Sequence, residues 1–129
     1  MKKKLIKTIK LDNGQVLKLF DASRRVAADR WFLSVIAEMD IAVGESVLGT
    51  SKDRPLIEDF KKGLGERVTF TQKRERIFIA ENSKDKVFGE LCDTFLNSCL
   101  NYLSHPDFPR KYIMKKYGEY QQRQSWYPS

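Results

Sequence analysis

The sequence has one histidine, two cysteines, four prolines and no long apolar run, and each scarcity removes a class of function. A membrane-spanning helix needs roughly 20 consecutive apolar residues. The basic opening MKKKLIKTIK resembles a signal peptide only until Lys7 and Lys10 interrupt it, so a cytoplasmic protein is expected. The lone histidine, His105, stands beside Pro106 at a helix end, without the second titratable group that orients a general base. Cys92 and Cys99 follow C-x6-C spacing, which matches no zinc pattern, and the acids show no calcium-loop spacing. On a helix the two thiols stand about 10 Å apart along the axis, too far for a disulfide. Gly44, Gly49, Gly63 and Gly65 do not form a phosphate-binding loop, and the acid pairs Glu38/Asp40 and Glu58/Asp59 fall on solvated surface. These absences lead us to expect no catalytic residue, no metal and no cofactor.

What is present suits one folded domain over residues 1–129. The apolar fraction is 41% and the charged fraction 32%, enough for a core and a wet surface. The formal charge of +7 is uneven: residues 1–30 carry net +6, residues 31–104 net −2 and residues 105–129 net +3. Basic ends of this kind bear on polyanion binding and solubility, and not on fold.

Periodicity supplies the elements. Asp12-Asn13-Gly14 parts two apolar runs, and a three-residue loop with left-handed Gly14 pairs Ile9 with Leu17 and Thr8 with Lys18. Leu5, Ile9, Leu11, Leu17 and Leu19 then share one face, with Lys7 a misfit. From Trp31 to Val43 every odd residue is apolar, which favours a long strand over the competing helical stripe Ala28, Phe32, Val35 and Met39. A short helix is expected near 55–62, opened by Pro55 and stopped by the glycines after Lys62. In RVTFTQKRERIFIA the apolar parity changes between Phe70 and Ile77, predicting a bulge or second hairpin around Gln72–Glu75.

The period then becomes helical. Ser83 is placed to cap a helix whose apolar stripe runs from Val87 to Leu103, and His105-Pro106 ends it. A second helix follows, with Phe108, Tyr112, Ile113 and Tyr117 inward, then a tail over 124–129. Residues 1–83 are thus mostly strands and residues 84–123 two helices. The fold class is α+β: an antiparallel sheet, built from the N-terminal hairpin plus long strands, packed on one face by two C-terminal helices.

Two basic clusters are the anion-binding candidates. In DASRRVAADRW, Arg24, Arg25 and Arg30 accompany a turn in which Asp21 and Ser23 bond nearby amides. Asp21-Ala22-Ser23 resembles the start of the Asp-x-Ser-x-x-Gly element of PilZ domains, which implies cyclic-dinucleotide binding on a small barrel. Val26 stands where that motif has glycine, and the accompanying Arg-x-x-x-Arg element is missing, so the chain is not assigned to the family. The second cluster is Arg110, Lys111, Lys115 and Lys116, continued by Arg123 and interleaved with Tyr112, Tyr117, Tyr120, Trp126 and Tyr127. Cations there suit phosphates and rings suit unstacked bases, yet the same pattern describes the wet side of a helix whose tyrosines face inward. The function expected is binding without catalysis, to a protein partner or to a second copy through Trp126 and Tyr127. The alternative is a nucleic acid or nucleotide held by the basic ends.

Overall fold

The computed structural model describes residues 3–44 and 54–126, with the side chains of 54–57 and of 125 and 126 excepted. Its architecture is α+β. Five strands form one sheet: β1 (Lys4–Lys10), β2 (Val16–Asp21), β3 (Arg24–Ala27), β4 (Arg30–Ala42) and β5 (Arg67–Ala80). The helices are α1 (Arg54–Leu64), α2 (Lys84–Leu103) and α3 (Phe108–Trp126). The chain divides into two compact units, Met1–Met39 with Thr71–His105, and Asp40–Phe70 with Pro106–Ser129.

In the first unit, β1 and β2 form the expected hairpin. Thr8 faces Lys18, Ile9 faces Leu17, and Gly14 takes φ 86°, so the three-residue loop is correct. The expectation for Leu5 is not. A register shift between Leu5 and Lys7 sets Leu5 opposite Phe20, which turns it away from buried Leu17 and Leu19 and leaves it 49% exposed. One extra residue in a strand reverses the facing of everything beyond it.

β4 is the long strand that its alternation predicts. Leu33, Val35, Ala37, Met39, Ile41 and Val43 are each at most 2% exposed. Along one edge β4 meets β2 and then β3 in a single register as far as Arg25, before a shift at Ala27: Lys18 faces Glu38, Asp21 faces Val35 and Arg24 faces Phe32. The DASRRVAADRW stretch is therefore not just a connection, because Arg24–Ala27 is itself a strand. At the join, Ala22 N–H donates to the Ser34 carbonyl (3.0 Å), and Ser34 N–H donates to the Ser23 hydroxyl (3.0 Å). A side chain thus replaces one ladder acceptor while the pairing continues.

β5 pairs with β4 and runs through without a hairpin. The parity break predicted near Gln72–Glu75 falls instead at Phe78, a non-glycine residue with φ 60°. Such a conformation costs about 1–2 kcal/mol in an L-residue and turns the strand end. Before it, Val68, Phe70, Gln72 and Arg74 face inward and are buried or half-buried.

α2 lies on the inner side of the first unit. Leu91, Phe95 and Leu103 are its buried residues, and the rest of the wide apolar stripe is only half-buried. Sinking Phe95 to 1% exposure contributes on the order of 2–3 kcal/mol. Ser83 precedes this helix, but its hydroxyl makes no cap bond and reaches Asn82 Oδ1 (3.4 Å) instead, because a 3-10 turn over Glu81–Ser83 leads in. The carbonyls at the other end are met by Asn13, whose Nδ2 donates to Leu103 O (2.8 Å) and His105 O (2.9 Å).

In the second unit, α1 is stopped by Gly65 at φ 82°, whose N–H donates to Lys61 O. Phe60 of α1 meets Tyr117 of α3 edge-on at 4.3 Å, and Phe70 meets Phe108 at 5.6 Å. α3 runs on to Trp126, beyond the expected end at 123.

Candidate functional site

Strand alternation separates the two arginines that the sequence sets side by side. Arg24 faces Phe32 on one side of the sheet, and Arg25 faces Trp31 on the other. They cannot clamp one phosphate together. Arg25 is bound to Glu81 (2.8 Å) and Arg30 to Asp29 (3.0 Å), and the guanidinium of Arg30 lies 5.5 Å from the Phe78 ring. The hollow beside them is lined by Asp29 and Glu81 as well as Arg30, so its charge is largely cancelled.

The α3 cluster also separates. Arg110, Lys111 and Lys115 are exposed, whereas Lys116 turns to Glu119 (3.4 Å) and lies 5.4 Å from the Tyr112 ring. The interleaved tyrosines are already engaged. Tyr112 Oη donates to Thr69 O (3.3 Å), Tyr117 meets Phe60, and Tyr120 stacks on Tyr117 at 5.9 Å. The side chain of Trp126 and all of Tyr127, the expected self-association residues, lie outside the described residues.

Two other places gather function-bearing side chains. The first is the outer face of the sheet in the first unit. Register puts Leu5, Val16, Lys18 and Phe20 on this face together with Phe32, Ile36 and Glu38. Ser34 Oγ donates to Glu75 (3.4 Å), so Lys73, Glu75 and Ile77 of β5 share it. The contacts of α2 are on the opposite side: Arg74 with Phe95 and Cys99, and Lys84 with Trp31. At the middle of the outer face Ser34 and Ile36 are buried, but Val16 is 39%, Leu5 49% and Ile77 74% exposed. Around them stand Lys3, Lys10, Lys18, Arg24 and Lys73 against Glu38 and Glu75. Lys3 bonds Glu38 and sits 4.5 Å above the Phe20 ring, and Arg24 sits 5.2 Å from the Phe32 ring. Among the described residues no carboxylate pairs with Lys10, Lys18, Arg24 or Lys73.

The second place is a hollow of about 560 Å³ in the second unit, lined by Leu64, Val68 and Thr69 with Arg67, Lys116 and Arg123, and by Glu119 and Gln122. The basic run of the last helix already pointed to Lys116 and Arg123, but not to Arg67, which lies 56 residues before Arg123 in the chain. Burial works against the charge on Lys116, but Tyr112 and the Glu119 carboxylate outweigh it and raise its pKa. Among the described residues no group of three or more His, Cys, Asp and Glu is placed to hold a metal ion. No helix there is long and apolar enough to cross a membrane.

No protein-family model, curated protein or solved structure matches the chain.

Proposed function

We propose that this is a non-catalytic binding protein whose outer sheet face takes up an acidic protein segment carrying apolar side chains. One observation supports the reading: the exposed aliphatic residues Leu5, Val16 and Ile77 share a face with Lys10, Lys18, Arg24 and Lys73, none of which has a carboxylate partner among the described residues. Aliphatic surface gains from burial against apolar groups, and an excess of cations selects a partner of opposite charge. A second copy of the same face sets like charges against each other, which disfavours self-association there. Single-stranded nucleic acid is disfavoured by the rings. Bases stack on open aromatic faces, whereas Phe20 and Phe32 are topped by the protein's own Lys3 and Arg24. The half-buried free thiols Cys92 and Cys99 suit a reducing compartment such as the cytoplasm.

Selection of short displayed peptides on the immobilised full chain tests the reading. The expected winners combine Asp or Glu with Leu, Ile or Phe, and bind a Leu5→Thr/Ile77→Thr variant at least about fivefold more weakly. Winners without acids, equal binding by that variant, or displacement of the peptides by oligo(dT) each count against it.

A further inference from the structure

We infer that the hollow between β5 and α3 in the second unit is a binding site for a small organic phosphate, independent of the sheet face. Its walls come from two elements: Arg67, Val68 and Thr69 from β5, and Lys116, Glu119, Gln122 and Arg123 from α3, with Leu64 of α1 beside them. Each wall brings an arginine. Arg67 and Arg123 have no carboxylate partner among the described residues, while Lys116 is matched by Glu119 at 3.4 Å. The uncompensated charge is therefore that of two guanidinium groups. A phosphate monoester carries about −1.5 to −2 near neutral pH and presents acceptor oxygens that a guanidinium fork meets in pairs. A carboxylate supplies one charge and half of that match.

The remaining lining describes the rest of the ligand. Leu64 and Val68 offer an apolar wall, and the Thr69 hydroxyl and Gln122 amide can orient a polar substituent. Thr69 Oγ1 donates to Asp40 (2.7 Å), which leaves its oxygen free to accept. A volume of about 560 Å³ is well beyond a bare inorganic ion and within the range of small-molecule sites. A phosphorylated compound with a small apolar body fits both parts.

Calorimetric titration of the full chain with phenyl phosphate and with inorganic phosphate, at constant ionic strength, tests the assignment. Phenyl phosphate is expected to bind saturably and more tightly than inorganic phosphate. Arg67→Gln and Arg123→Gln should each weaken it at least about tenfold, the loss of one charge-assisted contact. Lys18→Gln, on the sheet face, should leave it unchanged. Arg67 and Arg123 are both exposed, so their replacement leaves the core intact, and circular dichroism checks that. Three results overturn the inference: no saturable binding up to about 10 mM, binding unaffected in the Arg67→Gln/Arg123→Gln pair, or equal loss with Lys18→Gln.

Discussion

The guanidinium of Arg74 lies 5.5 Å from the ring centre of Phe95, and its Nη2 reaches Cys99 Sγ at 3.8 Å. A cation thus occupies a position on the inner face of β5 where alternation asks for an apolar side chain. Its stem packs under α2 while its head is held by a ring and a thiol. Arg74→Ala should lower stability by about 1–2 kcal/mol in urea unfolding, through lost stem packing and the lost ring contact. Arg74→Met restores the stem and should recover at least half of that. Equal losses in the two variants remove the packing argument.

Asn13 ties the first hairpin to the end of α2 through its two bonds to Leu103 O and His105 O, while its Oδ1 accepts from Gln15 N–H (3.0 Å). Asn13→Ala should cost about 1–2 kcal/mol. Asn13→Asp should cost more near neutral pH, because it aims a carboxylate at two carbonyl oxygens. Those oxygens raise the folded-state pKa of the new acid above its unfolded value near 4. The extra penalty should therefore shrink as pH falls through that raised pKa. Thermal melts of the two variants across the acid range decide it.

Gly63 sits inside α1, and a Cβ there meets Tyr120 Cε1 at 2.7 Å. Alanine is the better helix former by about 1 kcal/mol, yet Gly63→Ala should destabilise, since Tyr120 is held by its stack on Tyr117 and has little room to retreat. Adding Tyr120→Leu should reverse the sign. A double-mutant cycle with no coupling contradicts the contact.

The Cys92 thiol is pushed up from its ordinary pKa by burial, then by the carboxylates of Asp93 and Asp21, with Lys7 opposing weakly. A raised pKa means less thiolate at a given pH, so alkylation by iodoacetamide near neutral pH should be slower than for free cysteine. Asp21→Asn keeps the oxygen that accepts from Ser23 N–H (2.8 Å) but removes a charge, and should quicken the reaction. Mass spectrometry of the modified peptide gives both rates, and an unchanged or slower rate in the variant refutes the electrostatic cause.

Much of the fold was legible because its signals are local. Gly14 needed only the three-residue loop to set the hairpin register, and the odd-position run from Trp31 to Val43 sufficed for a strand even against a competing helical stripe. The failures also have a common form. Nothing near Ile6 marks it as the place where facing changes and Leu5 turns outward, and without a bulge near Gln72–Glu75 the alternation set by Val68 carries Ile77 outward. The candidate site was less legible still. The eye is drawn to adjacent charges such as Arg24-Arg25, whereas a pleated strand sends neighbours to opposite sides. The second apolar face of β4, Phe32 and Ile36, was visible in the sequence and is the one early sign of the outer surface.

By itself the sequence determined the types of the elements other than β3, the inner face of β4 and the α+β class, since side-chain period and turn chemistry act within a few residues. The tertiary structure decided which strands lie side by side, and hence that Arg25 meets Glu81 across 56 residues while Arg67 and Arg123 share one hollow. Those pairings depend on packing between distant segments, whose energies no local periodicity records.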